Sequence, residues 1–164
     1  MPAEPDVPLV GPERRQLEDL LDWHRAALLR ICADLTAEQL ATRALPPSNL
    51  SLLGLIRHLA KVERVWFRQR IGQQPIEALY GGPGAPEDFA DIDAVTAQTA
   101  VEELQEEWRQ ARAAAAVADL DDTFELRGED WSVRMVYLHM IGEYARHNGH
   151  ADLLREQLDG VTGR

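Results

Sequence analysis

The chain has 164 residues, of which 45% are hydrophobic and 27% charged, and its 28 acidic against 17 basic side chains leave a formal net charge of -11. That length suits one domain with an ordinary core, and that charge opposes binding to nucleic acid or to an anionic membrane. No apolar run approaches a membrane span, and a lone cysteine, Cys32, cannot form an internal disulfide.

Residues 1–11 hold four prolines or glycines and read as a flexible N-terminal arm, leaving 12–164 as a single helical domain. The acidic, proline-rich start is unlike a secretory signal, which with the lone cysteine makes the cytoplasm the expected location. Helical periodicity recurs in every long segment, and no run alternates convincingly with a period of two. A first helix is expected from about Pro12 to Leu35, with an apolar stripe through Leu17, Leu21, His24, Leu28 and Ile31. Thr36 and Gln39 have the spacing of a capping box opening a short helix to about Arg43. Pro46-Pro47 breaks the chain before a second long helix, about Leu52 to Ile71, capped by Ser51 and stopped near Gly72.

A long connection rich in glycine and proline follows (Gly81 to Pro86). The third long helix should begin at Thr96 or Thr99, where Thr99 and Glu102 could form a capping box, and end near Ala118. Its acidic run through Glu102, Glu103, Glu106 and Glu107 reads as a solvated face. Residues 119–130 read as an acidic loop, and a fourth helix begins after Ser132 and ends before Gly160. The expected architecture is all-α: a four-helix bundle with short extra helices in the connections.

The last helix carries the chemistry. His139, Glu143, His147 and His150 fall at about 0°, 40°, 80° and 20° around it, one narrow face. Glu143 and His147 are neighbours that could grip one metal ion. On the second helix His58 shares a face with Leu55, Val62 and Val65, so His58, Glu143 and His147 would form a two-nitrogen, one-oxygen site with an open side. The competing reading is structural: a histidine on an apolar face is more often a hydrogen-bonded core residue, and the four-residue spacing also stabilises helices. A carboxylate facing a bundle core needs a cation or strong hydrogen bonds. His150 competes as a ligand on spacing. His139, two turns before His147, is too distant to share its metal. His139 and His150 are expected to orient ligands or line the pocket. His24 could line the same cavity, though a satisfied core-edge histidine is the commoner case. Arg57, Arg146 and Arg155 flank the site and could pair with a substrate carboxylate. Cys32 is expected as an inert buried thiol.

Three segments carry a resemblance: Leu21 to Leu29, Pro46 to Phe67 with its Arg-His-Leu-Ala piece, and His139 to Asp159 with Glu-x3-His-x-Gly-His. Together they resemble the DinB-like superfamily, and within it a branch, described as a domain of unknown function, similar to the mycothiol-dependent maleylpyruvate isomerases. The resemblance implies a DinB-type up-down-down-up bundle with a divalent metal, usually zinc or nickel, held by His58, Glu143 and His147. Many relatives have histidine at the position of Glu143; glutamate matches the mycothiol-dependent isomerases and leaves manganese or iron in play. Relatives commonly have glutamine where His150 stands, so no ligand role carries over to it. A homodimer is the assembly the resemblance suggests.

Two classes of function follow. One is a metal-dependent enzyme acting on a small molecule, a transferase or isomerase with mycothiol as cosubstrate, in which a thiol or a water is activated by the metal. The other is a non-catalytic metal- or small-molecule-binding bundle. A purely structural bundle ranks below both.

Overall fold

A computed structural model describes residues 7–162. Within them the predicted long helices form, and the fold is all-α apart from one small hairpin. Helix α1 spans Glu13–Cys32 behind Pro12. It ends short of the expected Leu35, because Asp34 turns left-handed at φ 63°. Residues 1–6 of the predicted arm lie outside the described residues; residues 7–11 are irregular. Helix α2, Ala37–Ala41, opens with the expected capping box: Gln39 N–H donates to Thr36 Oγ1 at 3.2 Å and Thr36 N–H to Gln39 Oε1 at 2.9 Å.

Helix α3, Leu52–Glu63, starts where Ser51 Oγ accepts from Gly54 N–H at 3.1 Å. It continues without a break into a π-helical segment, Arg64–Ile71, closed by Gly72 N–H bonding to Phe67 O at 2.8 Å. Bonds from i to i+5 widen each turn, so residues four apart come nearly into line. Val62, Trp66 and Arg70 therefore share one wall, while Arg64 and Arg68 share another.

Helix α4 is Ala97–Ala115. The expected Thr99–Glu102 capping box does not form: the helix is entered one turn earlier, through a 3-10 turn, Ala94–Thr96, capped by Asp93. The expected acidic loop is also corrected. Strands β1, Thr123–Leu126, and β2, Glu129–Ser132, pair antiparallel, with Phe124 opposite Trp131. Their two-residue turn, Arg127-Gly128, has positive φ at both positions (57° and 82°), the hand that matches strand twist. Trp131 repays the pairing by packing on Trp66, with ring centroids 4.8 Å apart. Helix α5, Val133–Asp159, opens on the Ser132 cap and closes on left-handed Gly160.

Helix α1 packs on α5 and α3 on α4, with α3 also meeting α5 across the core. Fully buried leucines from α3 and Met140 and Tyr144 from α5 fill that core. One polar network crosses it and joins all four long helices. Arg25 of α1 grips Glu63 of α3 with two bonds of 2.7 and 2.6 Å. The Tyr144 hydroxyl of α5 donates to Glu63 at 2.9 Å and accepts from Trp108 Nε1 of α4 at 2.7 Å. A second carboxylate, Glu107, is 1% exposed and is held by Arg64 and Arg68. Its place on a supposedly solvated face is therefore corrected; the π segment brings both arginines over it.

Cys32 is buried, and burial pushes its thiol pKa up to about 12. At pH 8 the thiolate, the reactive form, is nearly absent. Iodoacetamide is expected to leave Cys32 unmodified in the folded protein and to alkylate it in urea, read by mass spectrometry; rapid native labelling would contradict the packing. Among the described residues no helix is long and apolar enough to cross a membrane.

Candidate metal centre

The core places α3 beside α5, and this brings together residues 85 positions apart in sequence. His58 Nε2 lies 3.1 Å from Glu143 Oε1, and His147 Nε2 lies 3.2 Å from the same oxygen. Ligand-type atoms of His58, Glu143 and His147 all fall within 4.8 Å of one another, one on α3 and two a single turn apart on α5. His147 is buried, whereas the Glu143 and His58 side chains are each 19% exposed. Glu143 is thus half-buried rather than sunk in the core.

The electrostatics follow from this convergence. Hydrogen bonds from His147 and then His58 hold the Glu143 carboxyl well below the ordinary carboxylate range, against the opposing push of burial. Burial also acts against charged His58, but Asp88 and Glu143 on its two nitrogens outweigh it and raise its pKa. Two imidazole nitrogens and one carboxylate oxygen are a donor set that zinc enzymes use with a further position open, and nickel accepts it too. The residues present therefore fit a divalent ion.

Asp88 is the residue that sequence reasoning missed. It sits on a 3-10 turn, Pro86–Asp88, in the long connection, is 2% exposed, and accepts from His58 Nδ1 at 2.7 Å. That bond leaves Nε2 as the nitrogen turned toward Glu143. Lys61 Nζ closes the arrangement, 2.7 Å from Asp88 and 2.8 Å from Ala85 O. Phe89 stacks on His58 with centroids 5.4 Å apart. Gly54 allows this approach: a Cβ there would lie 2.7 Å from Phe89 Cδ1. No local signal marks Asp88, since a carboxylate in a glycine- and proline-rich loop reads as solvent-facing. Replacing Asp88 with alanine is expected to weaken metal affinity by about 10–100-fold, measured by competition with a chromophoric chelator; an unchanged affinity would remove Asp88 from this role.

The other predicted site residues separate. His150 Nδ1 lies 3.3 Å from His147 Nδ1, where it can orient that ring. Burial, then His147 and Arg146, lower its pKa. Arg146 itself is exposed and reaches the cluster only as that nearby charge. His139 is packed between Trp66 and Trp131, at 4.5 and 5.8 Å, away from the three converging groups. His24 lines a different cavity, about 640 Å³, between α1 and α5, together with Trp23, Asn148 and Asp152. His24 is thus not among the residues lining the cavity beside His58, and Asn148 and Asp152 lie on the side of α5 turned away from Glu143. Arg57 and Arg155 are also committed elsewhere. Arg57 donates to Glu87 O and Ala90 O, and Arg155 donates to Ile31 O and Ala33 O at the end of α1.

A cavity of about 590 Å³ opens beside the cluster. His58 and Asp88 lie on its wall with Val62, Trp66, Phe89 and Trp131. Such a pocket, mostly apolar with a few polar and charged groups among its lining, suits a small organic molecule.

A family model described as mycothiol-S-transferase matches residues 16–160. No curated protein matches the chain.

Proposed function

The chain belongs to the mycothiol-S-transferase family, a DinB-like family, and from that membership and the convergence of His58, Glu143 and His147 we propose that it is a metal-dependent transferase that joins mycothiol to a small electrophile. The observation that carries the metal is the single Glu143 oxygen standing within 3.2 Å of both imidazoles. His58, Glu143 and His147 would hold the ion, zinc or nickel by donor type. When bound, a divalent ion favours the thiolate form of a thiol at neutral pH, the form that attacks carbon.

The chain's own residues prepare that chemistry. Asp88 holds the His58 ring, His150 stands against His147, and Phe89 and Trp66 give the cavity beside them an apolar lining. The thiol's S–H proton passes to water, and the S–C bond forms as the electrophile's bond to its leaving group breaks, chloride in the case of 1-chloro-2,4-dinitrobenzene. Thiol chemistry of this kind suits a reducing compartment such as the cytoplasm.

Protein purified without chelator is expected to carry close to one divalent ion per chain by elemental analysis. With mycothiol and 1-chloro-2,4-dinitrobenzene it should accelerate thiol loss, chelation should abolish the rate, and added zinc or nickel should restore it. Metal uptake without turnover would favour the binding-module reading. Failure to take up metal would sink the proposal.

A further inference from the structure

We infer that the cavity selects an elongated, largely apolar ligand that ends in a carboxylate, and that Arg70 and Arg127 read that end. This rests on the proposed reading that the reactive end lies at His58. The π segment puts Arg70 on the same wall as His58, about three helical turns further along. Arg127 enters from the hairpin tip, held there by a left-handed φ of 57°. Between the two ends the wall is apolar: Val62, Val65 and Trp66 on one side, Phe89, Leu126 and Trp131 on the other.

The arginines themselves point to the charge of the ligand. Among the described residues at least nine arginines sit on a carboxylate. Arg43 and Arg57 donate to backbone carbonyls. In a chain with 28 carboxylates, Arg70 and Arg127 nevertheless have no hydrogen bond or ion pair with any described residue, and Arg70 Nε is buried without an acceptor. A buried donor left without an acceptor is costly, so a position that keeps one is suited to an outside partner. Asp88, on the same wall, is occupied by His58 and Lys61. Glu129 is also on the wall and pairs with neither arginine. Two guanidinium groups beside an apolar channel match a planar carboxylate, which accepts two parallel N–H bonds.

The test compares two probes of one shape, 5-phenylvalerate and 5-phenyl-1-pentanol, titrated into the full chain as purified. Binding is followed by the emission of Trp66 and Trp131, which line the cavity. The acid is expected to bind about tenfold more tightly than the alcohol at low salt, with the advantage shrinking as salt is added. Arg70→Gln and Arg127→Gln should each bring the two affinities together while leaving the alcohol's unchanged. A thermal melt checks that both variants are folded; Arg127 lies on an exposed turn, so its loss spares the core.

Equal affinities in the wild type, no binding of either probe, or an advantage that survives both substitutions would overturn the inference. An advantage that survives them but disappears in His58→Ala would place the carboxylate at the histidine end instead, again against it. Because the readout is probe binding, a protein that lacks transferase activity but shows the arginine effect refutes only the proposed reaction.

Discussion

Glu63→Ala is expected to lower the stability of the protein by about 3–5 kcal/mol, the cost of leaving one half of a buried ion pair behind. The Glu63 side chain is fully buried and Arg25 is 4% exposed, so little water is at hand to replace the lost carboxylate. The loss extends further than the pair, because the Tyr144 hydroxyl also donates to Glu63 while accepting from Trp108. One substitution thus disturbs α1, α3, α4 and α5 together. Asp22 remains 2.7 Å from Arg25 and limits the damage. Urea unfolding of chelator-treated protein would give the difference free of any metal contribution, and the midpoint temperature should fall by about 10 °C. The double variant Arg25→Met/Glu63→Leu should regain most of the loss, since an apolar pair of similar volume carries no stranded charge. A Glu63→Ala change below about 1 kcal/mol would mean that the network does not hold the bundle.

Metal affinity should respond even more sharply to the converging groups. Alanine at His58, Glu143 or His147 is expected to reduce it by well over the ~10–100-fold typical of losing an outer partner, because each change removes a donor atom. His24→Ala and His139→Ala serve as internal controls. The first ring lines another cavity and the second sits between two indoles, so both variants should bind metal as the wild type does. Chelator competition reads the affinities, and circular dichroism confirms that each variant is folded. If His139→Ala lost metal as completely as His147→Ala, the proposed ligand set would be wrong. Affinity should also fall as pH drops through the histidine range, because metal must displace the proton that Asp88 and Glu143 help His58 to retain.

Much of this arrangement was legible in the sequence because helices advertise themselves locally. Ser51 caps the helix it was expected to cap, the last long helix begins after Ser132 as expected, and the Thr36–Gln39 box forms as its spacing implies. The angular argument on α5 put Glu143 and His147 on one face, and they do share it. What remained hidden depends on contacts between distant segments. The hairpin lacks a strong turn pair such as Asn-Gly, and its only large apolar side chains are Phe124, Leu126 and Trp131 among acids. Its Trp131 packs on Trp66, far away in sequence. Asp88 and Glu107 read as surface acids until His58, Lys61, Arg64 and Arg68 are seen to meet them. His24 illustrates the converse: a stripe shows that a residue faces inward, but not into which cavity.

The straps between α3 and the connection hold its stretch from Ala85 to Ala90 more firmly than the exposed pair Pro83 and Gly84 just upstream. That stretch is fastened by Lys61 on Ala85 O, by Arg57 on Glu87 O and Ala90 O, and by Phe89 against Gly54. One residue inserted there would pull Asp88 out of register with His58. A few residues upstream, around exposed Pro83 and Gly84, extra chain costs only the slow logarithmic growth of loop closure. Those same residues form part of the rim of the cavity. Insertions and deletions can therefore reshape the entrance while the grip on the imidazole stays fixed, so that selectivity and ligand geometry can evolve independently on one scaffold.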